Sequence, residues 1–353
     1  MNYARDCIAK IDGYVPGEQP QGRTYIKLNT NENPYPPSPK VGEALRNFDW
    51  TRLRLYSEPS ALMIRQAAAD LFGLKPENII CGNGSDDLLT IALRTFVDQG
   101  GKLAFTEPSY SLYPVLADIQ GASHAPVALT DDFQLPDDAV EQAGDATLFI
   151  LANPNAPTGT LLSKEKLCKI AEKFHGVLWI DEAYVDFSGQ TCMDMVKKYP
   201  NVVVSRTMSK SFSLAGLRLG IAAAQEPLIF EMFKVKDSYN VDMVTQYLAT
   251  AALRDVEYMQ ANAKRIIATR EKTAAALRKL GCVVEPSATN FLFVKPPKDA
   301  ETVFKQLKDN GFLVRYFKLP RVSEYIRITM GTEEDMDAFV KTFAELIGCY
   351  FSR

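Results

Sequence analysis

The chain has 353 residues, about twice the usual domain length, so we expect about two domains. Hydrophobic residues make up 46% and charged residues 24% of the sequence, which excludes a disordered or coiled-coil chain. The 40 basic and 43 acidic residues give a net charge of −3 without a like-charge block, which argues against a nucleic-acid partner. The apolar runs are too short for a membrane helix, and the N-terminus lacks the apolar region of a signal peptide. We therefore expect no membrane partner and a cytoplasmic location.

The cysteines and histidines argue against two classes of active site. The six cysteines, at 7, 81, 168, 192, 282 and 349, form no C-x-x-C pair, so we expect reduced thiols and no metal site. The two histidines, His124 and His175, lie near no hydrolase or zinc-protease motif. We interpret His124 as part of a loop, His175 as the end of a helical stretch, and both as structural. The catalytic base is therefore expected to be another residue type.

The first two thirds of the chain predict an α/β fold. Residues 1–40 are rich in proline and glycine and are predicted to form an extended arm. Apolar residues at helical spacing predict a helix over 60–73. Short apolar strands are predicted at 78–81, 102–106, 148–152, 177–180, 202–205 and 219–224, and helices at 88–96, after 111 and after 163. This alternation indicates a parallel sheet covered on both faces.

The pattern changes after residue 240. An alanine-rich stretch over 243–281 is predicted to be helical. Strand, helix, strand, strand and helix are then predicted at 290–294, 300–310, 312–317, 325–330 and 333–348. This order indicates a small α+β domain. We predict an N-terminal arm over 1–40, a large domain over 41–260 and a small domain over 261–353.

Polar motifs follow several predicted strands, at the sheet edge where open α/β sheets bind ligands. Gly82-Asn-Gly-Ser-Asp86 turns from a strand into a helix, and backbone N–H groups at a helix start suit a phosphate. The alternative is a tight turn that Asp86 caps. In Asn153-Pro-Asn-Ala-Pro-Thr-Gly159, Asn153 is the first polar residue after a strand. Here the alternative is a rigid turn without a ligand.

Two further motifs carry charged groups. Asp181 directly follows the apolar Leu178-Trp-Ile180, and a carboxylate in such a place needs a cationic partner. A metal-binding Walker-B carboxylate is the alternative, but the chain lacks a P-loop. Lys210 lies between serines and eight residues before Arg218, which suits an amine nucleophile beside a phosphate-binding arginine. A lysine, a carboxylate and a phosphate site are together what pyridoxal 5′-phosphate requires.

The order of these motifs resembles that of fold-type-I aminotransferases. The likeness covers nearly the whole chain and is greatest to the histidinol-phosphate aminotransferases. It rests on Leu28-Asn-Thr-Asn-Glu-Asn-Pro-Tyr35, Tyr56, Gly82-Asn-Gly-Ser-Asp86, Asn153-Pro-Asn-Ala-Pro-Thr-Gly159, Asp181-Glu-Ala-Tyr184, Ser209-Lys-Ser-Phe-Ser-Leu-Ala-Gly-Leu-Arg218 and Tyr325-Ile-Arg-Ile-Thr329. Ser211 and Ser213 depart from the family, which more often has alanine near the lysine, and we expect them to tune cofactor contacts.

The resemblance implies both a fold and an activity. The fold would be an α/β fold-type-I transferase, with a mostly parallel seven-stranded sheet, a small α+β C-terminal domain and an extended N-terminal arm. The activity would be a ping-pong transaminase reaction of histidine biosynthesis. It would interconvert L-histidinol phosphate and 2-oxoglutarate with imidazole-acetol phosphate and L-glutamate, using pyridoxal 5′-phosphate.

The resemblance also implies roles for cofactor-site residues. Lys210 would bind the cofactor as a Schiff base and move the substrate proton, and Asp181 would pair with the pyridine nitrogen. Asn153 and Tyr184 would hydrogen-bond the phenolate oxygen. Tyr110 would stack on the ring, unless it is a core aromatic residue. The predicted phosphate ligands are Gly84, Ser85, Asp86, Ser209 and Arg218, together with Tyr56 from the partner subunit of a homodimer.

Substrate recognition would depend on the arm and the small domain. Arg327 resembles the arginine that binds the carboxylate of glutamate and the phosphate of the other substrate. Arg315 and Tyr14 would add phosphate contacts, although a surface salt bridge is an alternative for Arg315. Asn33 would line the pocket from the arm. An aromatic amino acid aminotransferase, a threonine-phosphate decarboxylase and a non-catalytic protein of the same fold remain alternatives.

Overall fold

A computed structural model of the chain describes residues 3–20 and 22–348, so Cys349 lies outside the described residues. The remaining cysteines form no disulfide within this described part. The strands are β1 (Ile26–Lys27), β2 (Ile79–Asn83), β3 (Lys102–Glu107), β4 (Ser123–Ala128), β5 (Leu148–Ala152), β6 (Val177–Asp181), β7 (Val202–Thr207), β8 (Leu219–Ala224), β9 (Val283–Val284), β10 (Phe291–Lys295), β11 (Phe312–Leu313), β12 (Arg315–Tyr316) and β13 (Ile326–Thr329).

The helices cover both faces of the main sheet and much of the second. None in the described part of the chain is long and apolar enough to span a membrane. They are α1 (Asp6–Ala9), α2 (Pro39–Asn47), α3 (Leu62–Phe72), α4 (Ser85–Phe96), α5 (Leu112–Gln120), α6 (Ala139–Ala143), α7 (Lys164–Lys173), α8 (Met195–Lys198), α9 (Glu226–Val235), α10 (Met243–Leu253), α11 (Val256–Lys279), α12 (Ala300–Asp309) and α13 (Glu333–Ile347).

The main sheet has seven strands in the order β2-β8-β7-β6-β5-β3-β4. Strand β8 runs antiparallel to both of its neighbours, and the other strands are parallel to one another. Successive residues of a strand point to opposite faces, so Phe149 and Ile150 enter two different apolar cores. The mostly parallel sheet covered on both faces is therefore confirmed.

A second sheet of four antiparallel strands has the order β12-β13-β10-β9. The prediction of one strand over 312–317 is wrong, because the segment serves two sheets. Strand β11 pairs in parallel with β1 of the N-terminal arm, whereas β12 pairs with β13. The domain boundaries at 40 and 260 stay predictions.

The stretch 243–281 is helical as predicted, and it forms two helices, since α10 ends at Leu253 and Asp255 precedes α11. The Asp255 carboxylate accepts hydrogen bonds from Ser38 and Lys40, which fixes the chain at this break. His124 lies in β4 rather than in a loop. This strand is at the sheet edge, where polar residues and Pro126 are tolerated, so its apolar pattern is weak.

Candidate active site

A cavity of about 290 Å³ lies at the carboxyl ends of β3, β5, β6 and β7, where parallel sheets bind ligands. The start of α4, the N-terminal arm and the second sheet complete its walls. The predicted site residues that line it are Tyr14, Ser85, Asp86, Tyr110, Asp181, Tyr184, Ser209, Lys210, Arg218, Arg315 and Arg327.

One end of the cavity has the features of a phosphate site. Helix α4 starts at Ser85, and the buried Ser85 hydroxyl has no hydrogen-bond partner among the described residues. Gly84 has φ +84°, and a Cβ there would lie 2.5 Å from Arg218 Nη2. Arg218 Nη1 lies 3.5 Å from Ser209 Oγ, and its Nη2 lies 3.6 Å from Asp86 Oδ2. A guanidinium, two hydroxyls and a helix N-terminus thus converge where the sequence predicts the cofactor phosphate.

Asp181 ends β6 in the wall of the cavity and is buried. Ser205 Oγ donates to its Oδ1 and the Tyr113 hydroxyl donates to its Oδ2, each at 3.2 Å. Burial raises the pKa of Asp181 to about 6, against the lowering effect of these hydrogen bonds. No lysine or arginine of the described residues forms an ion pair with Asp181, so the carboxylate can accept a protonated ring nitrogen of a ligand.

Lys210 lies in the loop between β7 and β8. Its Nζ donates to Thr30 O at 3.1 Å and lies 5.7 Å from the centre of the Tyr184 ring. The Tyr184 hydroxyl accepts from Asn31 Nδ2 at 2.9 Å. The amine and the phenol thus face one cavity, and residues of the arm hold both.

The backbone around Lys210 is fixed from two sides. Asn33 Nδ2 donates to Lys210 O and Ser211 O, each at 3.1 Å. On the other side the Ser211 hydroxyl donates to Asp186, which pairs with Arg206 at 3.0 Å. Two expectations are corrected, because neither Asn33 nor Ser211 is among the described residues that line the cavity. Both hold the loop instead.

The structure places Asn153 outside the lining of the cavity. Its Oδ1 accepts from Leu162 N at 2.8 Å, and its Nδ2 lies 3.8 Å from Cys192 Sγ. With these partners, Asn153 is not among the described residues that line the cavity. Ala156 of the same loop lines it instead. Of the pair predicted to bind the phenolate oxygen, Tyr184 alone reaches the cavity.

Aromatic rings form one side of the cavity. Tyr110 packs edge-to-face against Tyr113, with ring centres 5.6 Å apart and an interplanar angle of 88°. Tyr14 of the arm packs against Tyr110 at 5.6 Å and 70°. Tyr110 is therefore available to stack on a planar ligand, and Tyr14 brings the arm to the same place.

Arg327 faces the cavity from β13, and no carboxylate in the described part of the chain pairs with it. Its Nη2 donates to Asn29 O at 3.0 Å, and its buried Nε has no hydrogen-bond partner within residues 3–20 and 22–348. The guanidinium lies over the rings of Phe291 and Phe317, at 5.2 and 5.4 Å. Burial lowers the pKa of Arg327, and the nearby Arg315 lowers it further. A partly desolvated cation of this kind favours an anionic ligand.

Arg315 is the cross-strand neighbour of Arg327, since their Cα atoms pair directly between β12 and β13. Like charges placed opposite each other in a sheet repel. Arg315 also donates to Val15 O at 3.0 Å and to Pro16 O at 3.2 Å. It therefore connects the N-terminal arm to the arginine side of the cavity and is not a surface salt bridge.

Tyr56 is not among the described residues that line the cavity. It is 79% exposed and stacks on Tyr239, with ring centres 4.5 Å apart. Trp50, Leu53 and Leu55 are also exposed on the neighbouring segment. A role of Tyr56 in phosphate binding thus requires a second copy of the chain. Within residues 3–20 and 22–348, no group of three or more potential metal ligands comes together.

Sequence reasoning did not identify Tyr113, Ser205, Asp186 or Arg206. Tyr113 and Ser205 resemble ordinary core residues of a helix and a strand. Asp186 had a signal, because it is an acidic residue between the apolar Val185 and Phe187. Its partner Arg206 could not be identified without the pairing of β6 and β7.

Comparisons with known proteins cover nearly the whole chain. The family Aminotransferase class I and II matches residues 23–343. A histidinol-phosphate aminotransferase of Rippkaea orientalis is 43% identical over 345 residues, or 98% of each chain. One of Geotalea uraniireducens is 44% identical over 344 residues, or 97% of this chain and 99% of its own.

Solved structures of similar fold include a histidinol-phosphate aminotransferase of Sinorhizobium meliloti in complex with pyridoxal 5′-phosphate. It has a TM-score of 0.90 and 25% identity, and the match covers 98% of both chains. A mutant aspartate aminotransferase of Thermus thermophilus has a TM-score of 0.82 at 18% identity, over 98% of this chain and 100% of its own. That second likeness concerns the fold alone.

Proposed function

Because the chain belongs to the class I and II aminotransferase family, we propose that it is a pyridoxal-phosphate-dependent histidinol-phosphate transaminase. It would transfer the amino group between L-histidinol phosphate and 2-oxoglutarate, as the names of its relatives indicate. The observation that carries this proposal is a cavity with two separate cationic sites. Arg218 lies at one end, and the pair Arg315 and Arg327 lines the side formed by the second sheet.

The residues present fit the cofactor. The unpartnered Ser85 hydroxyl, Ser209 and Arg218 would hold the phosphate, and Gly84 leaves room for the Arg218 guanidinium. Asp181 would accept the hydrogen bond of the protonated ring nitrogen. When bound, pyridoxal phosphate supplies an electron sink that makes the proton on the amine-bearing carbon of the substrate acidic.

Four residues of the chain would hold the cofactor and move the substrate proton. The Lys210 amine would hold the cofactor and later accept and return the substrate proton, so no histidine is needed. The Tyr184 hydroxyl would hydrogen-bond the phenolate oxygen, and the Tyr110 ring would limit ring movement and exclude water. Asp181 has a raised pKa because it is buried, and pairing with a cation would restore its charge.

The arginine pair favours an anionic second substrate. The planar guanidinium of Arg327 can bind a carboxylate or a phosphate through two hydrogen bonds. One group can therefore receive glutamate in one half-reaction and the phosphorylated amine in the other. Arg315 adds a second positive charge beside it and, with Tyr14, would contact the phosphate.

Several parts of the proposal concern the assembly and its location. We propose a homodimer in which Tyr56 of one subunit reaches the phosphate of the other. The exposed apolar segment around Tyr56 would be buried in the interface of such a dimer. We also propose a cytoplasmic location, in which the free thiols of Cys81 and Cys192 would stay reduced. Equilibrium sedimentation and cell fractionation test these two points.

Two experiments test the main proposal. Borohydride reduction of the cofactor-loaded protein, followed by peptide mapping, should place the label on Lys210, and a label on another lysine contradicts the assignment. Rates with histidinol phosphate, phenylalanine and threonine phosphate, with 2-oxoglutarate as acceptor, should favour the first. A preference for phenylalanine would indicate an aromatic aminotransferase, and decarboxylation of threonine phosphate would indicate a threonine-phosphate decarboxylase. Absence of absorbance near 420 nm after cofactor addition would indicate a non-catalytic protein.

A further inference from the structure

We propose that Tyr113 and Ser205 are positioning residues that keep Asp181 ionised and direct its remaining acceptor site towards the cofactor ring nitrogen. The proposal rests on the proposed function for the identity of the ligand. The hydrogen bonds themselves belong to the protein and can be tested without a cofactor.

The two hydroxyls reach Asp181 from different elements. Tyr113 lies in α5, is fully buried, and donates to Oδ2 at 3.2 Å. Ser205 lies in β7, directly opposite Asp181 in the pairing with β6, and donates to Oδ1 at 3.2 Å. Each carboxylate oxygen therefore has its own hydroxyl donor, and the carboxylate cannot rotate without losing both.

Trp179 determines the direction of the Ser205 hydrogen bond. Its indole Nε1 donates to Ser205 Oγ at 2.9 Å, and an indole N–H can only donate. Ser205 has a single hydroxyl proton, which is then left for Asp181. Trp179, Ser205 and Asp181 thus form a chain of hydrogen bonds that runs towards the carboxylate, and this direction favours an ionised Asp181.

The acceptor sites of the Asp181 carboxylate determine how it can bind the ring nitrogen of the ligand. An ionised carboxylate has about four lone-pair sites. Tyr113 and Ser205 use one site on each oxygen. Asp181 lines the cavity, so acceptor capacity remains there for the single N–H of a protonated pyridine ring. A protonated Asp181 would instead present a donor, which that N–H cannot accept.

Other charged groups around the cavity oppose or favour the ionised form of Asp181. Asp86 on α4 raises the pKa of Asp181 through its negative charge. Lys210 and Arg218 lie on the loop between β7 and β8 and also line the cavity. The other titratable groups that face the cavity are Tyr110 and Tyr184 near the sheet, Tyr14 and Glu32 on the arm, and Arg315 and Arg327 on the second sheet. Single hydroxyl deletions leave all these charges in place.

The first measurement uses the cofactor-free protein. The chain has two tryptophans, so its indole N–H region in an NMR spectrum contains two signals, and Trp50→Phe assigns them. The pH midpoint of the Trp179 signal reports the protonation of Asp181 through Ser205. Tyr113→Phe should raise this midpoint by about one pH unit, because a donor to the charged form is lost. Tyr199→Phe is the matched control, since Tyr199 is buried and donates to Glu172 instead.

The second measurement is cofactor affinity as a function of pH. If only ionised Asp181 binds the protonated ring, a rise of one unit from about 6 weakens affinity roughly eightfold at pH 5.5 and not measurably at pH 8.5. A merely structural role would weaken affinity equally at both pH values. Ser205→Ala should act in the same direction, and Ser205→Thr, which keeps the hydroxyl, should behave as the wild type.

The outcomes separate this proposal from the proposed function. If the pH midpoint of the Trp179 signal is unchanged in Tyr113→Phe, the role of Tyr113 is overturned. Equal losses of cofactor affinity at pH 5.5 and pH 8.5 in this variant also overturn it. An unchanged affinity profile in Ser205→Ala overturns the role of Ser205. A wild-type protein that binds no pyridoxal phosphate at any pH refutes the proposed function, while the midpoints still decide whether the hydroxyls control Asp181.

Discussion

Replacing Arg327 by methionine should reduce activity strongly without destabilising the protein. The guanidinium has no ion-pair partner among the described residues, and its Nε is buried without a hydrogen bond. Methionine has a similar length and suits the aromatic surroundings of Phe291 and Phe317. The variant loses one hydrogen bond to Asn29 O but also removes the desolvation cost of an unpaired cation.

The two effects have different sizes. The lost hydrogen bond to a carbonyl costs about 1 kcal/mol, which relief of desolvation offsets, so unfolding free energy should fall by no more than that. A bidentate anion loses two charged hydrogen bonds of roughly 1.5–3 kcal/mol each. Together these correspond to a fall of roughly 10²–10⁴-fold in kcat/KM for glutamate and for the phosphorylated substrate.

Single-turnover kinetics of each half-reaction and urea unfolding of the cofactor-free protein measure both effects. Arg315→Met is the comparison variant, because Arg315 holds Val15 and Pro16 of the arm and should affect the phosphorylated substrate more than glutamate. A large loss of stability in Arg327→Met, with nearly normal kinetics for both substrates, would refute the reasoning. It would show that Arg327 is a structural residue.

Three further substitutions give contrasting results. Asn153→Ala should lower unfolding free energy by roughly 1–3 kcal/mol, because it leaves the buried Leu162 N–H unpaired, and calorimetry should detect this with little change in cofactor affinity. Asp181→Asn should abolish turnover but stabilise the cofactor-free protein at pH 8 by up to roughly 3 kcal/mol. The folded pKa of about 6 exceeds the ordinary 3.8, so ionisation costs stability above pH 6, and the gain should vanish near pH 4. Ser211→Ala should speed hydrogen exchange over residues 208–214, because the bond to Asp186 is lost, and an unchanged exchange rate would contradict that role.

The sequence predicted the parts of the fold that depend on local pattern. The strands at 148–152 and 219–224 have the predicted limits, because each is a continuous apolar run between polar loops. The edge strand β4 was missed, since one exposed side removes half of the apolar signal. The split of 312–317 was also missed, because the partner of β11 comes from the arm. Pairing between strands that are distant in the chain produces no periodic pattern in the sequence.

The same distinction applies to the site. Lys210, Asp181 and Arg218 reach one cavity because each follows or precedes a strand of the same sheet, and strand ends meet at a common edge. Asn153 and Asn33 are not among the described residues that line the cavity, because the direction of a loop side chain depends on which backbone groups need a partner. Residue type and position in the sequence do not contain that information. The roles of all these residues stay predictions until they are measured.

The N-terminal arm has a consequence for substrate length. Strand β1 pairs with β11, Asn31 bonds to Thr329 of the second sheet and to Tyr184, and Asn33 holds the carbonyl of Lys210. These contacts occur within eight residues, which extend over about 26 Å at most. The arm therefore connects the second sheet, which carries Arg315 and Arg327, to the loop that carries Lys210. Its length limits the distance between the arginine pair and the lysine amine. An insertion there would change the length of substrate that can place its anionic end and its amine at the same time, even though every side chain in the cavity is retained.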